Sequence, residues 1–230
     1  MPYRFDWAPI WANRELIIDG LVTTIALSLL GLCLALIVGV IVGTAGASQQ
    51  RALRRSAAAY VELMRNIPLL VHMYFWYVGL ALLKLPPFWC AVAALTLYSG
   101  AYLAETVRAG LGAVPRGQAL AALATGLTPA QTLRFVVYPQ ALRIITPSLA
   151  SLASQLIKDS SLASVITVAE MTYQASAIEG QTFRTFEIYI TISLLYLALV
   201  TAASYGLMLI PGTRERGAQG LQGVQGFGDA

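Results

Sequence analysis

Histidine occurs once in this sequence, at His72, lysine and cysteine twice each, and charged residues make up only 11% of the 230. Each scarcity excludes something. Both lysines, Lys84 and Lys158, follow Leu83 and Ile157 rather than glycine, so the Gly-x4-Gly-Lys-Ser/Thr phosphate loop is missing, and with it that route to ATP. A single histidine inside an apolar run offers no catalytic cluster, and its expected role is helix packing or pore lining. Cys33 and Cys90 also lie in apolar runs, where cysteine packs as a small residue, so neither a disulfide framework nor a metal site is expected. The net charge of +4 does not point to nucleic acid, because Arg51, Arg54 and Arg55 flank a long apolar run, where positive charge fixes membrane orientation.

What is abundant is apolar: 57% of the residues are hydrophobic and the mean hydropathy is +0.68. This is the composition of an all-α integral membrane protein with room for about five spans of roughly 20 residues and little else. Uncharged runs cover Gly20 to Gln50, Asn66 to Leu83, Leu85 to Ala104 and Ile188 to Thr213. A fifth, from Ala141 to Ile157, is short and rich in Ser and Thr, and hydropathy alone leaves it open as a re-entrant segment. Charge parity favours a fifth span. With five crossings, Arg51, Arg54, Arg55, Arg65, Arg108, Arg116, Arg134, Arg143, Arg214 and Arg216 share one side, against Arg4, Arg14, Lys84, Lys158 and Arg184 on the other. The positive-inside rule then places the N-terminus outside and the C-terminus in the cytoplasm. The expected spans are approximately 20–47, 60–83, 85–107, 139–160 and 187–211, in one membrane domain 1–216 followed by a Gly- and Gln-rich disordered tail, 217–230.

The first twenty residues carry Asp6, Glu15 and Asp19 and lack the basic-then-apolar pattern of a cleaved signal. Tyr3, Trp7 and Trp11 suit either an amphipathic helix at the membrane interface or a loose lead-in. The stretch from Gly117 to Arg143 is more informative. Ala119 to Ala124 is nearly all Ala and Leu, a strong helix former too short to span or to stand alone. Gly126 can end that helix in a left-handed conformation, and Thr128-Pro129 is a good start signal for another. Helix, tight turn, helix at the cytoplasmic surface is the expected product; its spacing alone does not separate a docking surface from an ordinary linker.

Here the residues resemble a known family. The succession Gly-Gln, Ala-Ala, Gly, then Pro-Gln-Ala is similar to the cytoplasmic signature loop of membrane subunits of bacterial ATP-binding-cassette importers. DGLVTTIALSL (19–29), YVELMRNIPLLV (60–71), GAYLAETVRAGL (100–111), VPRGQ (114–118), YPQALR (138–143) and KDSSLASVITVAE (158–170) resemble the polar amino-acid uptake permeases, in the right order over nearly the whole chain. ELMRNIPLLV is similar to glutamate/aspartate-type members. The resemblance implies a type I transmembrane domain working by alternating access in the bacterial inner membrane. It implies pairing with a second permease, the same or a paralogue, and an external solute-binding protein delivering an amino acid. A cytoplasmic ATPase would hold ATP and Mg, this chain binding no cofactor itself. Gly117, Gln118, Ala121, Ala122 and Gly126 then correspond to the ATPase-docking turn, small residues allowing close approach. Leu120 stands where many importers carry a glutamate, which puts a salt-bridge account of docking in doubt.

Candidates for the substrate path are the polar groups at membrane depth. Glu62 and Arg65, three residues apart, share a helix face and either pair with each other or face a solute. Glu105 and Arg108 repeat that spacing, and nearby Gly100 and Ala104, one turn apart, favour close helix packing. His72 is the polar inward-facing group of the second run; the family commonly has glutamine there. Lys158, Asp159, Ser160 and Ser161, with Glu170 beyond them, offer a cation, anions and hydroxyls suited to an amino acid, or else merely cap a helix end. Arg184 is a further external cation. The chief rival to an ATP-driven importer subunit is an autonomous secondary transporter or channel coupled to an ion gradient; a structural subunit without a conducting path is the third class.

Overall fold

The computed structural model describes residues 3–79 and 81–208, so the expected tail 217–230 lies outside the described residues. Helix α1 (Ala8–Ala12) is short, and α2 (Arg14–Ala47) is 34 residues long, roughly 50 Å at the standard rise. The expected interface helix is thus only five residues. Asp6 Oδ1 accepts from the Ala8 N–H at 3.0 Å, and residues 3–7 form no helix.

The second expected span, 60–83, is not one helix. Helix α3 (Arg51–Asn66) ends at Ile67, which is extended, and α4 (Leu69–Gly79) begins after Pro68. The physical reason is Pro68, which has no N–H and forces its predecessor out of the helical region. Helix α5 (Pro87–Ala113) starts with proline in its first turn, where no N–H is needed. After it come α6 (Arg116–Ala124), α7 (Pro129–Thr132), a π turn (Leu133–Val137) and α8 (Tyr138–Asp159). A 3₁₀ segment (Ser160–Ile166), α9 (Met171–Thr182) and α10 (Thr185–Met208) complete the described chain. Among these, α2, α5 and residues Thr185–Gly206 of α10 are long and apolar enough to cross a membrane, and α4 is a shorter apolar helix.

The most extensive packing joins α2 to α5, and it rests on small residues. Gly20, Thr24, Gly31, Ala35, Gly39 and Gly43 form one buried stripe along α2. A Cβ at Gly43 would lie 2.6 Å from the Ala104 carbonyl oxygen, so only glycine lets the two backbones approach there. Gly31 sits against Leu95, Gly39 against Leu103 and Gly43 against Val107, so the two helices run parallel. Gly100 and Ala104 lie in this seam, as their spacing led us to expect: Gly100 abuts Val38 and Ala104 is buried. Helix α8 runs the other way along α5, with Gly110 on Ile145 and Ser99 near Gln155. Leu27, Met73, Cys90, Leu95, Leu103, Leu156 and Ile166 close the main core, while Cys33 faces outward.

Candidate functional site

Two polar regions stand out from the apolar scaffold. The first is the turn between α6 and α7. The N–H of Gly126 donates to Leu123 O at 3.0 Å and that of Leu127 to Ala122 O at 3.3 Å, the paired bonds of a Schellman ending. Gly126 adopts φ +91°, as its place after the Ala/Leu run foretold. Thr128 Oγ1 then accepts from the Gln131 N–H while Gln131 Oε1 accepts from the Thr128 N–H, a reciprocal capping box. Gly117, Gln118, Ala121 and Gly126 are all exposed, whereas Ala122 is buried. Leu120 is 65% exposed and Leu123 42%, an apolar pair that sequence reasoning did not single out as a surface.

The second region is a charged and aromatic seam between α3, α5 and α8. Arg65 reaches across to Glu105 on α5 instead of pairing with Glu62 on its own helix. Its guanidinium lies 4.8 Å from the centre of the Tyr102 ring, which explains the choice, because a cation held over an aromatic face is fixed in direction. Arg108 Nη2 is 3.8 Å from the other oxygen of Glu105, so the expected Glu105–Arg108 proximity is present but shared. Glu62, Arg54, Arg65, Tyr102, Glu105 and Arg108 line a cavity of about 550 Å³. Tyr102 OH is 3.2 Å from Tyr98 OH, and both tyrosines border a second cavity of about 220 Å³ with Gln155 and Asp159. Tyr98, Tyr102 and Glu105 follow the four-then-three spacing of a single helix face. That spacing was visible in the sequence, but tyrosines in an apolar run read as packing. These ion pairs are more than a third exposed, so their contribution is geometric before it is energetic.

The structure divides the Lys158 group. Lys158 is exposed, and Asp159 accepts from Gln155 Nε2 at 2.8 Å beside the smaller cavity. Both hydroxyls turn to backbone: Ser160 Oγ, fully buried, donates to Ile157 O, and Ser161 Oγ donates to Lys158 O, each at 2.7 Å. Glu170 lies apart, as the buried N-cap of α9, accepting from the N–H groups of Thr172 and Tyr173 and from the Tyr196 hydroxyl. Burial pushes its carboxyl above the ordinary value, and those hydrogen bonds pull it back. His72 is buried, with Nε2 3.2 Å from Met64 O and its ring edge-on to Tyr98.

The N-terminal residues form a clasp with no local sequence signal. Buried Glu187, in the first turn of α10, accepts from the Tyr3 hydroxyl and from the Asp6 N–H at 2.8 Å. Arg184 donates to Arg4 O at 2.8 Å and approaches Asp6 and Glu187. The lead-in is therefore pinned, and Arg184, expected as an external cation, is engaged with it.

Three helices of membrane length, one of which carries part of a charged seam, mark an integral membrane protein. The chain belongs to the family of binding-protein-dependent transport system inner membrane components, whose profile matches residues 31–210. It is 34% identical over 200 residues, 86% of this chain and 93% of the relative, to the probable glutamine ABC transporter permease protein GlnM of Bacillus subtilis (strain 168). It is 35% identical over 206 residues, 88% and 94% of the two chains, to the glutamine transport system permease protein GlnP of Escherichia coli (strain K12). Among solved structures it is similar to a chain of an amino acid ABC transporter crystallised with histidines, at 34% identity and a TM-score of 0.81, covering 90% of this chain and 98% of that one. The protein is thus a membrane-spanning permease subunit of the amino-acid ABC importer family. Two of these relatives are named for glutamine, and the glutamate/aspartate import permease protein GltJ of Escherichia coli (strain K12) is 34% identical over 196 residues, 79% of this chain and 80% of that one.

Proposed function

We propose that this permease moves a polar amino acid inward across the bacterial inner membrane by alternating access, with glutamine the first candidate and glutamate or aspartate its competitors. The chain crosses the membrane five times. The parallel run of α2 and α5 supports this, since the chain must return between them through the α3–α4 pair, and α8, antiparallel to α5, returns again. With the Arg-rich connections inside, the N-terminus lies outside and the C-terminus in the cytoplasm.

The observation that carries the mechanism is the α6 turn. A short helix, closed at its C-terminal end by the Schellman bonds, presents small residues and two exposed leucines outward. Gly117, Gln118, Ala121 and Gly126 dock into a groove on a cytoplasmic ATPase that binds ATP and Mg, and Ala122 packs the helix onto this chain. Leu120 and Leu123 make the contact apolar rather than ionic. A second permease, the same or a paralogue, completes the path, and a solute-binding protein delivers the substrate from outside. Along the path, Glu62, Arg65, Tyr102, Glu105 and Asp159 face the two cavities and present both signs of charge to the ammonium and carboxylate of the solute.

The test is purification from the native host in mild detergent, with a parallel Gly126→Asp variant, followed by ATPase assay and reconstituted uptake of glutamine in competition with glutamate and aspartate. An ATPase retained by the wild type and lost from the correctly inserted variant supports docking by this turn. A stable complex that transports without any ATPase, driven by an ion gradient, would replace this reading with that of a secondary transporter.

A further inference from the structure

We infer that His72 is a positioning residue that holds the α3–α4 break in one geometry by donating Nε2–H to the Met64 carbonyl. In an uninterrupted helix the Met64 carbonyl would accept from the N–H four residues on, but that residue is Pro68, which has none. The carbonyl is left without its helical partner just where Ile67 turns extended. His72, one turn into α4, supplies a replacement: its ring is buried and Nε2 is 3.2 Å from Met64 O. A carbonyl can only accept, so the proton sits on Nε2. The bond crosses the break and ties the end of α3 to the start of α4.

The break matters because of what α3 carries. Helix α3 is exposed along nearly all its length, with Ala57 its one buried residue. It rests on α2 and α5, and three polar contacts fix its direction: Tyr60 OH donates to Leu97 O at 2.6 Å, Arg65 pairs with Glu105, and His72 holds Met64. Met64 immediately precedes Arg65. Securing its carbonyl therefore sets where the guanidinium meets Tyr102 and Glu105. The His72 ring also lies edge-on to Tyr98, 5.8 Å between centres, and Tyr98 OH meets Tyr102 OH, so the same side chain braces the aromatic file from its other end. Nothing in this places His72 in contact with solute; it acts through Met64 and Tyr98. Any side chain of similar reach with an N–H donor should serve, which separates the donor role from aromatic packing and from charge.

The inference rests on the reading of the seam as part of the path only for its transport consequence; the local geometry is tested separately. The intact complex, purified as above, is compared with its His72→Gln and His72→Leu variants by hydrogen exchange over residues 61–72 and by reconstituted uptake. The expected result is exchange faster by roughly fivefold or more in His72→Leu, with protection kept in His72→Gln, since an amide can still donate to the orphaned carbonyl. Uptake should follow with a lowered maximal rate at unchanged KM and unchanged ATPase retention in His72→Leu. Equal exchange in wild type and His72→Leu would overturn the inference, as would a His72→Gln variant as deprotected as His72→Leu. If exchange changes as expected while no variant or wild type transports, the positioning role stands and the functional reading fails.

Discussion

The α6 turn and the α3–α5 seam solve opposite problems. The turn is built from bonds between residues at most five apart: Gly126 to Leu123, Leu127 to Ala122, Thr128 with Gln131. The seam is built from residues some forty apart, Arg65 with Glu105 and Tyr60 with Leu97, brought together only when the helices pack. A motif closed on itself keeps its shape while its surroundings move, which is what the proposed docking role asks of it. A seam held by two half-exposed ion pairs and one hydroxyl can open and reform at little cost, which is what the proposed path asks of it.

That contrast can be broken at several points. The largest effect is expected from Gly126→Val. A branched side chain at φ +91° is strained by at least about 1–2 kcal/mol, the Schellman ending is lost, and ATPase retention in pull-down should fall to background while membrane insertion persists. Next comes Glu105→Gln, which removes the shared partner of Arg65 and Arg108. Uptake should drop about tenfold with ATPase retention intact, and the double exchange Arg65→Glu with Glu105→Arg should recover part of it, limited by loss of the cation over Tyr102. Lys158→Ala and Asp159→Ala should each impair uptake without impairing assembly. The loss should be greater for Asp159, which borders a cavity, than for exposed Lys158; normal transport in both removes this corner from the path. The smallest effect belongs to Thr128→Ala. It deletes one cap worth about 1 kcal/mol while Gln131 and the Schellman bonds remain, so ATPase affinity should weaken only a few-fold in a titration of the detergent-solubilised complex.

The same contrast explains what was legible in the sequence. Gly126 after an Ala/Leu run and Thr128 before Pro129 announce their own geometry, because glycine conformation and capping are local physics. The packing of Gly100 and Ala104 was likewise visible as small residues one turn apart. Pairing was not. Glu62 and Arg65 looked like partners by spacing, yet Arg65 chose Glu105 because Tyr102 stood beside it, a fact of tertiary packing. The Lys158 group looked like one site because its members are neighbours in the chain, but Asp159, the last residue of α8, borders the cavity while Ser160 and Ser161, in the 3₁₀ segment after it, turn to backbone carbonyls. Pro68 lay in plain view within an apolar run whose composition suggested continuity. Glu187 carried no local hint of Tyr3, because the two are 184 residues apart.

The clasp at Glu187 bears on how the protein can be handled. With Tyr3 and the Asp6 amide already seated on a buried carboxylate, a fluorescent label attached at Tyr3 or Asp6 would sit directly on a packed joint. Such a label competes with the first turn of α10 for the same few ångströms.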